Sequence, residues 1–261
     1  MKRGEIMDTK KLFNLEGKIA IVTGGSKGLG KEMIMAFADA GANVVIADMD
    51  VETGKDVELE VRKKGVDSLV VKTDVGDVNQ IEELVKRTVA QFKRIDILVN
   101  NAGIVNNYPA EELSIKDWDD VVKIDLSAVF YCSKIVARQM ISQNKGTIIN
   151  TASMSGLIVN TPQPQAHYNA AKAGVIQLTK SLAAEWAKYN IRVNSISPGY
   201  MGTEMVKRVL SQYGKYWLPL IPMGRVGEPS EIRGPALFLA SEASSYVTGS
   251  NIVMDGGYTV W

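Results

Sequence analysis

Short runs of apolar, mostly β-branched residues recur along the chain, and longer stretches with helical spacing of apolar residues separate them. The runs are KIAIVTG (18–24), NVVIAD (43–48), SLVVKTD (68–74), IDILVNN (95–101), GTIINTAS (146–153), IRVNSISPG (191–199) and SNIVMDGG (250–257). Because most of them are nearly continuous in apolar residues, they are typical of strands buried on both faces of a parallel sheet. The pattern predicts an α/β fold with a doubly wound, seven-stranded parallel sheet, which binds ligands at the carboxyl ends of its strands.

No linker, low-complexity tract or second kind of repeat interrupts this alternation, which predicts a single domain. The chain has 261 residues, of which 46% are hydrophobic and 23% charged, enough apolar material for a full core. Residues 1–14 are predicted to form a polar N-terminal leader, and residues 15–261 are predicted to form the domain.

Charge and cysteine content exclude several classes of protein. The 30 Lys and Arg residues balance the 29 Asp and Glu residues to a net charge of +1, so no nucleic-acid partner is expected. No window reaches the roughly 18 uninterrupted apolar residues of a membrane helix, and no signal peptide is evident, so we expect a cytoplasmic protein without membrane association. The single cysteine, Cys132, excludes an internal disulfide and a multi-cysteine metal site. It is predicted to be a small buried apolar residue, and no metal is expected.

The first predicted strand leads into TGGSKGLG, in which Gly24, Gly28 and Gly30 have a TGxxxGxG spacing between a strand and a helix. Glycines let the backbone turn sharply and approach a pyrophosphate, which the N–H groups and dipole of a helix N-terminus attract. In this setting the motif predicts a dinucleotide-binding loop. The predicted cofactor contacts in the loop are Gly24, Ser26, Lys27, Gly28, Leu29 and Gly30.

Asp48 ends the second predicted strand, 18 residues after Gly30. A carboxylate at this place can accept hydrogen bonds from the hydroxyl groups of the adenosine ribose and repels the additional phosphate of NADP. The sequence therefore favours NAD over NADP. Lys27 leaves the alternative open, since its ammonium group could pair with a phosphate or could be a solvated surface charge.

Tyr168 and Lys172 lie four residues apart in a predicted helix, so their side chains share one face. A tyrosine phenol with a pKa of about 10 is a poor base at neutral pH, but a nearby ammonium group and an oxidised nicotinamide would lower that pKa. Such a tyrosine can exchange a proton with an alcohol during hydride transfer. Ser153, at the end of the fifth predicted strand, could hold a substrate oxygen beside Tyr168.

Five motifs in this order and spacing resemble the short-chain dehydrogenases/reductases. They are TGGSKGLG, NNAG (100–103), Ser153, YNAAK (168–172) and SPGYMGT (197–203). The resemblance extends from about residue 15 to the C-terminus. It implies a Rossmann-type fold, a nicotinamide cofactor, and an enzyme that interconverts a secondary alcohol and a ketone with a Ser-Tyr-Lys catalytic set.

The resemblance also implies a role for individual residues. Ser153 would orient the substrate oxygen, Tyr168 would be the acid/base, and Lys172 would bind the nicotinamide ribose and lower the pKa of Tyr168. Further cofactor contacts are implied for Asp74, Val75, Asn101, Ala102, Gly103, Pro198, Gly199, Met201 and Thr203. For Asp74 the alternative is a cap on the turn that follows the third strand.

One position departs from the family pattern. Where the family usually carries an asparagine that holds a proton-relay water to the lysine, WDDVVKIDLSAVF has Asp125. An ionised aspartate accepts hydrogen bonds but donates none, and it adds a negative charge near Lys172. Asp125 is therefore assigned to the catalytic set, in a relay or backbone-locking role, with a purely structural role as the alternative.

The loop LIVNTPQPQAH precedes the predicted catalytic helix and carries three amide side chains, those of Asn160, Gln163 and Gln165. Amides suit a polyhydroxylated substrate, although they could also face water. A PQPQ segment before YNAAK resembles the polyol and sugar dehydrogenases, so a polyol or sugar acid and its keto sugar are the expected substrates. The predicted substrate contacts are Ser155, Gln163 and His167. For His167, the chain's sole histidine, the alternative is a loop or rim residue.

Two other functions stay open at this point. A 3-oxoacyl-thioester (acyl carrier protein) reductase would need a basic patch for its carrier protein, and a regulator that senses dinucleotide without turnover would have no need of a tuned phenol. Residues 204–228 are predicted to form a helical lid over the substrate, although their aromatic residues could instead be core. The resemblance implies a homotetramer with interface helices at about 113–143 and 168–189.

Overall fold

The computed structural model describes residues 8–261 and contains a sheet of seven parallel strands. The strand order β3-β2-β1-β4-β5-β6-β7 confirms the predicted doubly wound, Rossmann-type α/β fold. The strands are β1 (Ile19–Thr23), β2 (Asn43–Asp48), β3 (Ser68–Lys72), β4 (Ile97–Asn100), β5 (Gly146–Thr151), β6 (Ile191–Pro198) and β7 (Asn251–Met254). The α-helices are α1 (Gly28–Asp39), α2 (Val51–Arg62), α3 (Val78–Phe92), α4 (Ile115–Val122), α5 (Ala128–Gln143), α6 (Ala166–Trp186), α7 (Glu204–Trp217) and α8 (Arg233–Ala240).

The two faces of the sheet are covered by different helices, which explains the continuous apolar runs of the strands. On one face, α1, α2 and α8 contribute Phe37, Val57 and Leu239. On the other face, α3 and α5 contribute Leu84 and Met140. Complete burial of one such side chain stabilises the fold by about 1.5–3 kcal/mol. β1 and β4 lie between the two layers and are buried along their whole lengths.

The predicted helix over 113–143 is divided in the structure. A π-helical turn at Lys123–Ser127 separates α4 from α5 and contains the buried side chain of Asp125. Such turns insert an extra residue into a helix and are frequent at functional sites, because they change the direction of one side chain. The apolar periodicity continues through the turn, so the sequence pattern does not reveal it.

The structure describes only the second half of the predicted N-terminal leader. Residues 1–7 of the predicted leader lie outside the described residues, whereas Thr9–Phe13 form a short 3₁₀-helix. The helix predicted at 168–189 corresponds to α6 and a following 3₁₀ turn, Ala187–Tyr189.

Exposed apolar side chains on α4 and α5, such as Trp118 and Phe130, suit the predicted tetramer interface. The homotetramer and the cytoplasmic location stay predictions.

Two expectations from composition can be compared with the structure over residues 8–261. No helix in this part of the chain is long and apolar enough to cross a membrane, and no three His, Cys, Asp or Glu side chains are grouped as metal ligands.

Cys132 lies on α5 and is buried in the hydrophobic core, and burial raises the pKa of its thiol to about 12. The cysteine is therefore a packing residue, as predicted.

Candidate active site

A cavity of about 720 Å³ runs along the carboxyl edge of the sheet, and the ends of strands β1 to β6 contribute to its walls. Doubly wound sheets bind ligands at this edge, and the volume is typical of a cofactor pocket. The sequence-predicted residues that line it are Gly24, Lys27, Gly28, Leu29, Asp48, Asp74, Val75, Asn101, Ala102, Gly103, Asp125, Ser153, Tyr168, Lys172, Pro198, Gly199, Met201 and Thr203. The other predicted residues lie behind the wall: Ser26, Gly30, Ser155, Gln163 and His167.

Several lining residues were not predicted from the sequence, and most of them are apolar. They are Met49, Thr73, Ile104, Val105, Ile124, Thr151, Ala152, Glu204, Met205 and Val206. Ile104 and Val105 directly follow the NNAG motif, and Met205 and Val206 lie just after Thr203. Extending each motif by two or three residues would have found them.

The loop between β1 and α1 depends on its glycines. Gly24 and Gly28 have φ values of +62° and +57°, which glycine adopts without strain. A Cβ at Gly30 would lie 2.1 Å from the carbonyl oxygen of Gly24, so the first turn of α1 can contact the loop only because residue 30 has no side chain. The N-cap residue of α1, Lys27, makes no side-chain cap hydrogen bond. The first N–H groups of α1 therefore suit an anionic group, which is what the pyrophosphate of a dinucleotide requires.

Asp48 connects the end of β2 to this loop. Its Oδ2 atom accepts hydrogen bonds from the backbone N–H and the hydroxyl of Ser26, at 3.0 and 2.5 Å, and its Oδ1 atom accepts one from the N–H of Asp50, at 3.0 Å. Lys27 forms an exposed ion pair with Asp50, with Nζ and Oδ2 2.8 Å apart. Lys27 also lines the cavity, so its pairing with a phosphate stays a prediction, and the ion pair with Asp50 would partly cancel its attraction for that phosphate.

The NNAG motif holds the glycine loop from the other side. The backbone N–H groups of Asn101 and Ala102 donate to Thr23 Oγ1 at 3.0 and 3.1 Å, and the amide of Asn101 donates to the carbonyl oxygen of Gly24 at 3.1 Å. Asp74 lines the cavity and also accepts the N–H of Gly76 at 2.8 Å. Asp74 therefore caps the turn after β3 and also faces the cavity.

Tyr168, Lys172 and Ser153 meet at the opposite end of the cavity from Asp48. The first two lie one turn apart on α6, with Lys172 Nζ 5.5 Å from the centre of the Tyr168 ring. Lys172 is buried and donates to the carbonyl oxygen of Thr151 at 3.1 Å, which fixes the ammonium group at the end of β5. Ser153 begins a 3₁₀ turn, and its Oγ accepts the N–H of Ser155 at 3.1 Å. One phenol, one ammonium and one hydroxyl therefore face the same part of the cavity.

The charges around Tyr168 change the expected pKa. Burial raises the pKa of the phenol, the Lys172 ammonium lowers it, the Asp125 carboxylate raises it, and the Ser153 hydroxyl lowers it, with a net increase. Lys172 therefore lowers the pKa of Tyr168, as expected, but in the protein without a cofactor burial and Asp125 leave that pKa above its ordinary value. For Lys172, burial lowers the pKa, but the negative charges of Asp125 and Tyr168 raise it above its ordinary value. Lys172 is an ammonium at neutral pH.

Asp125 connects three parts of the site. Its Oδ2 atom lies 3.0 Å from Lys172 Nζ, and its Oδ1 atom accepts the backbone N–H of Ile104 at 2.8 Å. A Cβ at Gly103 would come within 2.9 Å of Oδ2, so the glycine of NNAG leaves room for the carboxylate. Asp125 thus contacts both the backbone after NNAG and the side chain of Lys172.

Comparisons with known proteins agree with this arrangement. A protein-family model described as enoyl-(acyl carrier protein) reductase matches residues 24–259. The NADP-dependent mannitol dehydrogenase of Hypocrea jecorina is 42% identical over 252 residues, which are 95% of this chain and 94% of that protein. The ribulose-forming D-arabinitol 2-dehydrogenase of Candida albicans is 42% identical over 267 residues, with 95% of each chain covered. A solved short-chain type dehydrogenase/reductase from Mycobacterium marinum superposes with a TM-score of 0.93 at 43% identity, covering 95% of this chain and 98% of that one.

The chain belongs to the short-chain dehydrogenase/reductase family. It is an NAD(P)-dependent oxidoreductase that acts on CH–OH groups. The resemblance to the polyol and sugar dehydrogenases is also confirmed, since both of these curated relatives are named for polyols. Asp125 thus forms an ion pair with Lys172 at the position where the sequence resemblance leads one to expect an asparagine with an uncharged amide.

The amides before α6 do not line the cavity, in contrast to the prediction for Gln163. Asn160 and Gln163 each donate to the hydroxyl of Tyr200, at 3.2 and 2.8 Å, and Trp217 donates to Gln163 Oε1 at 3.1 Å. Gln165 donates to the hydroxyl of Ser155 at 3.2 Å. Ser155, which was also predicted to contact the substrate, therefore binds a neighbouring amide and does not line the cavity. The amides are buried, so they are not turned to water either. They join the loop to α7 and to the SPGYMGT segment.

His167 is also placed differently from both readings of the sequence. It lies in the first turn of α6, its side chain is fully buried, and its Nε2 atom contacts the amide oxygen of Asn106. Burial lowers the pKa of His167, while Asp117 and Asp125 raise it by smaller amounts, so the ring is neutral at pH 7. The prediction of a loop or rim residue is wrong, because the buried ring attaches the start of α6 to the loop that follows β4.

The lid predicted at about 204–228 contains α7, and its aromatic residues divide between core and surface. Trp217 is buried and stacks on Tyr200 and Tyr213, with ring centres 3.9 and 5.3 Å apart. Tyr216 is exposed. The start of α7 reaches the cavity through Met205. The lid function of this segment stays a prediction, while its aromatic cluster is largely core.

Replacing Gly30 by alanine is expected to weaken dinucleotide binding by at least about tenfold, because the added Cβ would meet the carbonyl oxygen of Gly24 and displace the loop. Isothermal titration calorimetry with NAD measures the effect. Gly234→Ala is the matched control, since Gly234 is also helical but has open space where its Cβ would lie. Equal affinity of Gly30→Ala and the original protein would contradict this account of the loop.

Replacing Gln163 by leucine is expected to reduce the free energy of unfolding by about 1–3 kcal/mol, because Tyr200 and Trp217 each lose a buried hydrogen-bond partner. The KM for the alcohol should rise as the loop loosens, while the Kd for the dinucleotide should not change. Urea unfolding and steady-state kinetics measure the two effects. Gln177→Leu on the exposed face of α6 is the control and should stay within about 0.5 kcal/mol. A change in Kd alone would show that the amides act on the cofactor instead.

Proposed function

We propose that this protein is an NAD-preferring dehydrogenase that interconverts a polyol or sugar acid and its keto sugar. The observation that carries the proposal is that Tyr168, Lys172 and Ser153 occupy one end of a cavity whose other end holds Asp48. The mannitol and arabinitol dehydrogenases among the relatives support the substrate class.

Three side chains carry the chemistry in this proposal. Tyr168 takes the hydroxyl proton of the alcohol during oxidation and returns it to the carbonyl oxygen during reduction. Ser153 orients the same oxygen with its hydroxyl group, and Lys172, held as an ammonium, stabilises the phenolate form of Tyr168. The nicotinamide, when bound, supplies the hydride acceptor for oxidation and the hydride donor for reduction.

The cavity walls suit the parts of a dinucleotide in order. The glycine loop and the N-terminus of α1 would hold the pyrophosphate, and Asp48 would accept hydrogen bonds from the adenosine ribose. Lys172 would bind the nicotinamide ribose, and Thr203 would reach the carboxamide. These residues line one continuous cavity, which supports their common role.

The preference for NAD rests on the residues of this chain, because the mannitol dehydrogenase relative is named as NADP-dependent. The carboxylate of Asp48 is held at the cavity wall by two hydrogen bonds from Ser26. It would lie close to the phosphate that distinguishes NADP and repel it. Lys27, the nearest loop cation, is engaged with Asp50 and offers that phosphate little attraction.

A panel of polyols, aldonates and keto sugars, with NAD(H) and NADP(H), tests the substrate class. Turnover of a polyol or its keto sugar is expected, measured by the absorbance of the reduced nicotinamide, and an acetoacetyl thioester is the contrasting substrate. Tyr168→Phe should bind dinucleotide with unchanged affinity and lose at least about 100-fold in turnover, because no other group can replace the phenolic proton. Turnover of the thioester alone would instead favour an acyl-carrier reductase, and dinucleotide binding without any turnover would favour a sensor.

The double variant Asp48→Ala with Met49→Arg is expected to move the ratio of kcat/KM values for NAD and NADP towards NADP by at least about tenfold. The change removes the repelling carboxylate and adds a guanidinium on a neighbouring exposed residue that lines the cavity. Kinetics with both cofactors measure the ratio. Met49→Arg alone is the control, and an unchanged ratio in the double variant would show that Asp48 does not select the cofactor.

A further inference from the structure

A buried carboxylate lies directly behind the catalytic lysine. The side chains of Lys172 and Asp125 are 4% and 0% exposed, and Nζ lies 3.0 Å from Oδ2. Among residues 8–261 the ion pairs within 4.0 Å give each of these two groups only the other as partner. The site therefore pairs a buried ammonium group with a buried carboxyl group before any substrate binds.

Burial is the largest cost of ionising Tyr168, and the charges of this pair change that cost next. With Lys172 and Asp125 balanced, a phenolate at Tyr168 gives the buried group a net negative charge, which a surrounding of low polarity disfavours. With an uncharged amide at position 125, the same phenolate would neutralise the lysine. The difference between a carboxylate and an amide is thus felt at the catalytic oxygen, although Asp125 itself contacts the lysine.

We propose that Asp125 is a positioning residue that balances the charge of Lys172, keeps Tyr168 protonated at neutral pH, and so sets the pH ranges over which the enzyme catalyses ketone reduction and alcohol oxidation fastest. The proposal rests on the proposed function, because it assigns a direction to the proton transfer of Tyr168. Reduction needs the phenol and oxidation needs the phenolate. The form of Tyr168 that reduction needs is therefore present at neutral pH and the form that oxidation needs appears at alkaline pH, in agreement with the pKa of Tyr168, which burial raises most and Asp125 raises further.

The other groups near Tyr168 add no net charge to those of Lys172 and Asp125. On its own helix, Lys172 faces the phenol, and His167 is neutral at pH 7 because burial lowers its pKa. The 3₁₀ turn after β5 contributes only the uncharged hydroxyl of Ser153. From α4, Asp117 acts on His167 and not on Tyr168. Asp125 is the carboxylate whose charge reaches the phenol.

A spectroscopic titration of the dinucleotide-free protein tests the proposal without relying on turnover. The tyrosinate absorbance is measured against pH for the protein and for its Tyr168→Phe variant, and the difference isolates Tyr168 among the nine tyrosines. The same pair is measured with Asp125→Asn in both. Asp125→Asn should lower the midpoint of Tyr168 by about one pH unit or more. Asp117→Asn, which removes a carboxylate that does not act on the phenol, should leave the midpoint unchanged.

The pH profiles of kcat/KM in both directions give the second readout. With Asp125→Asn the rise of oxidation and the fall of reduction should both move to lower pH by the same amount as the titration midpoint. Rates that fall without a shift of either profile would overturn the proposal and leave Asp125 as a relay or structural residue. A midpoint that rises would also overturn it, since it would mean that Lys172 loses its proton when Asp125 is uncharged.

Asp125→Asn preserves the size of the side chain and an oxygen for the N–H of Ile104, so we expect it to fold. If its thermal unfolding shows otherwise, Asp125→Ser removes the charge with a smaller side chain, and the same shift is expected. The titration separates this proposal from the proposed function. A protein that turns over no polyol but shows the shift retains the charge balance and loses only the substrate assignment.

Discussion

The pairing of β1 with both β2 and β4 is the constraint on which the rest of the structure depends. Strands before β4 are added on one side of β1 and strands from β4 onwards on the other, so α1 and α5 pack on opposite faces of the sheet. The loops at the carboxyl ends of β1 and β4 therefore diverge and leave a crevice. The glycine loop, Asp48 and Tyr168 reach one cavity because this strand order brings their elements to the same edge.

Buried polar side chains then fix the loops that surround this crevice. Thr23 holds the two residues after β4, and the amide of Asn150 links Asn100 to Thr179 across the sheet and α6. A buried hydrogen bond adds only about 0.5–1.5 kcal/mol net, whereas an unpaired buried group costs about 1–3 kcal/mol. These contacts therefore contribute little stability and instead exclude other loop positions. The shape of the cavity therefore depends on the cost of leaving buried polar groups unpaired as well as on apolar packing.

A sequence pattern predicts structure well when the residues that form it are close together along the chain. Continuous apolar runs identify buried strands, the glycine spacing identifies a loop that approaches a ligand, and the four-residue spacing of Tyr168 and Lys172 places both on one helix face. Those signals are local. The partners of Gln163 lie 37 and 54 residues away, at Tyr200 and Trp217, and the contact of His167 with Asn106 spans 61 residues. A loop rich in amides looks the same in sequence whether its side chains meet a sugar, water or a buried phenol, so the fold alone decides among these.

The ion pair between Asp125 and Lys172 is difficult to explain as a source of stability. Removing two charges from water costs several kcal/mol for each ion, and the attraction between them roughly repays this cost. The backbone contact does not require a carboxylate either, since an asparagine oxygen would accept the N–H of Ile104 equally well. The negative charge acts on Lys172 and, through it and directly, on Tyr168, and it raises the pKa of His167 by less than burial lowers it. Of these three groups, Tyr168 is the one to which the proposed function assigns a proton exchange, so the charge of Asp125 is best understood through that proton.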